Sequence, residues 1–155
     1  MADSRKRNII EIDDGTKEFS IVNKYGQDIC KIHIRTSDMS ILGRLRAMQD
    51  AIPDIVKDLE NVDIGNDGKS DDMDAYNVIH TAEVRMAQEL GKVFDTDEIM
   101  QIFEKRSMFS PMNGQFFVTL VLDALVKEIA ASVQEETRKT NERIEKYMKP
   151  NTDNA

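Results

Sequence analysis

Apolar and polar residues alternate from Ile29 to Arg35. Cys30, Ile32 and Ile34 fall on one face, and Lys31, His33 and Arg35 on the other. A repeat of two is the pattern of a strand with one solvated face. Two β-rich runs precede it, Asn8 to Ile12 and Glu18 to Val22. Asp13-Asp14-Gly15-Thr16 separates them. Asp-Gly between such runs signals a hairpin, because glycine accepts the positive φ of a tight turn. Asn23-Lys24-Tyr25-Gly26 punctuates the second gap. The pattern predicts a three-stranded antiparallel meander over residues 7–35, with an apolar face that needs a helix to cover it.

From Ser37 the repeat becomes helical. Ser37 or Asp38 can cap the start by accepting a backbone N–H. Ile41, Leu45, Met48, Ile52, Ile55 and Leu59 then recur at steps of four and three, widened by Leu42 and Val56. Pro53 removes a hydrogen bond inside this pattern and predicts a kink or restart. Asn61 to Ser70 is a loop by composition. A second helix is predicted over 71–91, with a stripe of Met73, Tyr76, Ile79, Ala82, Met86 and Leu90. Asp95, Thr96 and Asp97 place acid and cap before a short third helix that turns Ile99, Ile102 and Phe103 inward. A fourth helix is expected from Asn113 or Gly114. Phe116 to Ala131 is apolar on nearly every side, which predicts the central helix of the domain. Gln134 to Lys149 is charged, and apolar character persists only at Val133, Ile144, Tyr147 and Met148. Ile129, Val133, Thr137, Thr140, Ile144 and Tyr147 form a seam of period 3.5, suited to a partner helix. The competing reading is a plain surface helix held by the pairs Glu135–Lys139 and Glu142–Lys146.

The fold class expected is α+β: the meander packed on about four helices, the last long and projecting. Residues 1–6 read as a disordered tail, 7–131 as one domain (7–35 meander, 37–131 helices), 132–149 as a projecting helix and 150–155 as a second tail.

Charge narrows the function. The 155 residues carry a formal charge of −8, and the pI is about 4.8. Such a chain gains no counterion-release energy on DNA or RNA, so nucleic acid and anionic membrane surfaces are disfavoured as partners. The lone cysteine, Cys30, excludes an internal disulfide. Nine methionines suit adaptable helical packing. No signal peptide and no run of ~20 apolar residues is visible, so a cytosolic, soluble chain is expected.

Little in the chain suits chemistry. Asp63, Gly65, Asp67 and Gly68, with Asp74 at the twelfth position, align in part with a calcium loop. Gly65 offers no side-chain ligand, and Asp74 is short for a bidentate contact. Two lost ligands are costly to a cation that wants six to eight oxygens. His33 and His80 lie far apart in sequence and do not make a zinc site. Asp123 stands alone in an apolar helix and reads as a capped or ion-paired core carboxylate rather than a catalytic acid. No nucleophile elbow or glycine-rich phosphate loop occurs. The expectation is no enzyme, no cofactor and no metal, with Asp63, Asp67 and Asp74 an incomplete calcium candidate.

One segment has no catalytic use and yet is distinctive: IFEKRSMFSPMNGQFF, Ile102 to Phe117. Phe103, Arg106, Met108, Phe109, Ser110, Gly114, Phe116 and Phe117 stand in it. They follow RNIIEIDDGTKEF, VNKYGQDICKIHIR and a helix opening at TSDMSI, and a long helix with a charged end comes after them. In this order, over about residues 7–148, the chain resembles the small tail assembly chaperones of long-tailed phages and prophages of Gram-positive bacteria. Met108 departs from the pattern, where Asn-Pro is the more usual. The resemblance implies a non-enzymatic protein of the host bacterial cytoplasm. Its client would be the tape measure protein, kept soluble until tube subunits polymerise around it. The resemblance also implies a homo-oligomer, and contact with the tail tube protein through a longer frameshifted product. The client surface expected from the residues is Met108 and Phe109 with Val133, Ile144 and Tyr147, while Phe116 and Phe117 anchor the core. Two rival classes are a structural tail component retained in the virion and a calcium-responsive binding module.

Overall fold

Two strands, not three, form the N-terminal sheet. The computed structural model describes residues 7–61 and 72–148. The tails expected at 1–6 and 150–155 lie outside them, as do Asp63 and Asp67. Strand β1 (Thr16–Val22) pairs antiparallel with β2 (Asp28–Arg35), setting Phe19 opposite Ile32 and Ile21 opposite Cys30. Ile32 and Ile34 are buried and Lys31 and His33 face outward, as the alternation requires. The expected strand at Asn8 to Ile12 is not formed. Asp13 accepts the Gly15 N–H and Asp14 the Thr16 N–H, each at 3.0 Å. Such bonds offer the backbone an alternative to a hairpin turn. Gly15 takes a positive φ of 81° and Asp14 does not, whereas a tight type I′ hairpin needs two successive residues there.

Helix α1 (Met39–Val56) starts where the sequence places it. Asp38 caps it by accepting the Ser40 N–H at 2.9 Å. We expect Asp38→Ala to cost about 1 kcal/mol of folding stability and Asp38→Asn much less, read as shifts of the urea midpoint. The helix runs through Pro53 and tightens to a 3-10 turn at Lys57–Asn61. Of the kink or restart expected at Pro53, the restart does not occur. Leu45 and Met48 before it and Ile55 after it are buried on one face, and that packing outweighs one lost hydrogen bond.

Helix α2 (Asp72–Phe94) passes through Gly91 and ends at Asp95, whose φ is 54° and whose N–H donates to the Gly91 carbonyl at 3.0 Å. Ala82, Met86, Leu90, Val93 and Phe94 are buried. Tyr76 was expected inward and is exposed. The small Ala75 takes the inward position and leaves the tyrosine hydroxyl in water. A short 3-10 helix, Glu98–Phe103, buries Ile99 and Ile102. Thr96, rather than Asp97, supplies its side-chain cap, accepting the Glu98 N–H at 3.3 Å.

A miniature hairpin follows that the pattern did not predict: β3 (Pro111–Met112) against β4 (Gln115–Phe116). Asn113 and Gly114 turn it with φ of 53° and 78°, the two successive positive values of a type I′ turn. Helix α3 (Phe117–Met148) starts at once. Its buried residues are Val118, Leu122, Leu125 and Ile129, a single stripe, while Asp123, Ala124, Lys127 and Glu128 are exposed. The central helix is therefore α1, which packs against both α2 and α3. Its polar ties run the same way. Asp54 accepts from Arg85 of α2 at 3.0 Å, and Gln49 donates to Asp123 of α3 at 3.3 Å. Arg44 donates twice to the Val93 carbonyl, at 3.0 and 3.1 Å, which caps the end of α2 with a cation. At the sheet, the buried Thr36 hydroxyl shares a 2.8 Å hydrogen bond with Ser132 of α3.

Candidate functional site

Past Val133, α3 leaves the domain. Every residue from Gln134 to Met148 is exposed. At ~1.5 Å per residue that segment extends roughly 22 Å. Ile144 is 46% exposed, Tyr147 80% and Met148 76%, an apolar end with no cover in the described chain. Val133 is half-buried at the root of the extension. The helix supports itself through charge pairs, although not those expected. Arg138 is clasped between Glu135 at 2.7 Å and Glu142 at 2.6 Å, and Lys139 reaches Glu136 at 3.6 Å. The pairs Glu135–Lys139 and Glu142–Lys146 are not made, because the branched guanidinium reaches both carboxylates at once. The hydrogen bonds from Arg138 lower the Glu135 pKa. With its charges matched internally, the segment offers Ile144 and Tyr147 on a helix that is already formed.

Met108 and Phe109 are placed differently from the expectation. They are 3% and 6% exposed, so neither presents a surface. Three sets of bonds hold this knuckle in. The Ser107 hydroxyl donates to Glu83 of α2 at 2.6 Å. The Met108 and Ser110 carbonyls accept the Val118 and Phe117 N–H groups at 2.8 and 2.9 Å, so the knuckle caps the start of α3. The Phe109 ring meets Phe116 edge-on at 5.4 Å, and Phe103 meets Phe117 at 5.7 Å. All four rings thus serve packing. Periodicity has no purchase on such a segment, because it is neither helix nor strand.

The sequence reading also missed a groove. A cavity of about 660 Å³ opens between α2 and the 3-10 helix, with Val84, Ala87, Met100 and Phe103 on its floor and His80, Glu83, Glu104 and Lys105 at its rim. The available signal was Val84 and Met100, apolar residues that fall outside the inward stripes of their helices. An apolar floor under a mixed-charge rim can take the side chains of another helix, and Ser107, whose hydroxyl donates to Glu83, also lines it.

His33 holds the sheet to the helical part. Its Nδ1 lies 2.8 Å from Glu98 and its Nε2 3.2 Å from Glu18, while its backbone N–H donates to Glu98 at 3.2 Å. Glu98 therefore closes the outer edge of β2. Lys31 stands 3.9 Å from Glu18 on the same face. The hydrogen bond to Glu98 raises the His33 pKa above its ordinary 6.5, and the same bond lowers Glu98 below 4.5. The histidine contribution to stability is full below 6.5 and fades as pH rises through the raised value. The Glu98 contribution is full above 4.5 and is lost as pH falls through the lowered value. The melting-temperature gap between the native chain and His33→Ala should thus be widest between pH 4.5 and 6.5 and narrow at higher pH. Thermal scans across pH check it; a gap that is constant with pH contradicts it.

Asp74, the described member of the calcium candidate, is exposed in the first turn of α2. Among the described residues no three His, Cys, Asp or Glu side chains converge to hold a metal ion. Among them, too, no helix is long and apolar enough to cross a membrane. Comparison with family models, with curated proteins and with solved structures returns no match.

Proposed function

We propose that the chain is a non-enzymatic tail assembly chaperone of a long-tailed phage, which binds the tape measure protein in the host cytoplasm and keeps it in solution until the tube forms. One observation carries this reading: α3 continues as a formed helix beyond the domain, with Ile144, Tyr147 and Met148 uncovered. A helix that has already met its ordering cost can pair with a long helical client at low entropic expense. The acidic surface supports it, since a charge of −8 keeps the chaperone and a bound apolar client apart from other complexes. The groove beside α2 gives a second apolar surface of the same kind.

The test is co-expression with the tape measure protein encoded beside it. Affinity capture of the chain should recover the tape measure protein, and purified phage particles should lack the chain. Capture without recovery of that client contradicts the reading, and presence in purified particles favours a structural tail component instead.

A further inference from the structure

The most apolar exposed stretch of the described chain lies outside both surfaces above. Ile9, Ile10 and Ile12 are 76%, 87% and 77% exposed, in a segment that precedes β1 and belongs to no helix or strand. No backbone group of residues 7–12 makes a hydrogen bond to another described residue. β-branched residues in such a run favour strand, and an unpaired strand bearing them is a template for pairing with another chain.

The charges say which chain. The segment reads Arg7-Asn-Ile-Ile-Glu-Ile-Asp13, with a cation at one end and an anion at the other. Laid antiparallel on a second copy of itself about Ile10, it sets Arg7 opposite Asp13 twice, and Ile10 opposite Ile10. Side chains directly opposite each other share a face, so Ile10 and Ile12 of both copies gather on one side. Laid parallel and in register, it would set Arg7 on Arg7 and Asp13 on Asp13, which repel. Asp13 already accepts the Gly15 N–H at 3.0 Å, and a carboxylate has acceptor sites left for a guanidinium. The two-fold arrangement uses the same patch on both copies and closes on itself.

We propose that residues 7–13 are a self-pairing strand that joins two copies of this chain antiparallel about Ile10. A patch this small supports a concentration-dependent dimer rather than an obligate one. The proposal does not depend on the chaperone reading, and either can fail without the other.

Two experiments test it. Residues directly opposite in an antiparallel pair have Cα atoms ~4.5–5.5 Å apart, within disulfide reach. In a Cys30→Ala background, Ile10→Cys should therefore form a disulfide-linked dimer under mild oxidation, and Ile9→Cys should not. Residues 9 and 10 lie outside the packed core, so neither cysteine disturbs it. Second, Arg7→Glu and Asp13→Lys should each lose the dimer in sedimentation velocity over a concentration series, and an equimolar mixture should regain it, because only the mixed pair sets opposite charges together. No cross-link at 10, a cross-link at 9 instead, or a mixture that stays monomeric overturns the proposal.

Discussion

Phe109→Ala should cost about 3–5 kcal/mol of folding stability, the usual range for removing a buried phenylalanine. A typical domain has only about 5–15 kcal/mol in total, so the loss is a large share of it. The ring is buried, packs edge-on against Phe116 and sits in the segment whose carbonyls cap α3. At about 2–4 °C per kcal/mol for a chain of this size, the melting temperature should fall by roughly 6–20 °C. Scanning calorimetry or a urea titration will read it. A variant that keeps native stability would mean that Phe109 spends its time outside the core, and would return it to the client surface where sequence reasoning put it.

Removing residues 134–155 should have the opposite profile. No residue from 134 to 148 is buried, and the α3 core stripe ends at Ile129. Changes to such surface usually stay within about 0.5 kcal/mol, equivalent to a melting shift of about 2 °C or less. Client binding should be lost altogether. Tyr147→Ala alone should weaken it by about 30-fold, because an aromatic anchor at the centre of an interface is commonly worth about 2 kcal/mol. Circular dichroism and calorimetry on the truncated chain, with affinity capture on the same preparation, separate the two effects. A truncated chain that unfolds would show that the extension is part of the domain.

Where periodicity governs, the residues were sufficient. Cys30, Ile32 and Ile34 declared the face of β2, and Ile41, Leu45, Met48 and Ile55 declared the buried edge of α1. The change at Gln134 from apolar to charged marked where α3 departs from the domain. The failures occur where local bonds compete with pattern. Asp14-Gly15 and Asn113-Gly114 are both strong turn dipeptides. Asp13 and Asp14 spend their carboxylates on Gly15 and Thr16, which begins β1 afresh and leaves Asn8 to Ile12 unpaired. Asn113 and Gly114 both take positive φ and make a hairpin where the fourth helix had been expected to start. Met108 and Phe109 had been placed on the client surface. Hydrogen bonds made at a distance in sequence, from Ser107 to Glu83 and from α3 back to Met108, bury them instead. The helix in the middle was misjudged for a related reason. The density of apolar residues in α3 suggested it, but position between two neighbours decides it, and α1 holds that position.

Solubility of the tape measure protein settles the functional reading. It should be co-expressed with the full chain, with the chain ending at Val133, and alone, and its supernatant fraction measured after lysis. Only the full chain should keep it in the supernatant, in a complex that co-elutes with the chain. Equal solubility in all three cultures, or rescue by the truncated chain as well as by the full one, would contradict a chaperone that works through the extension of α3.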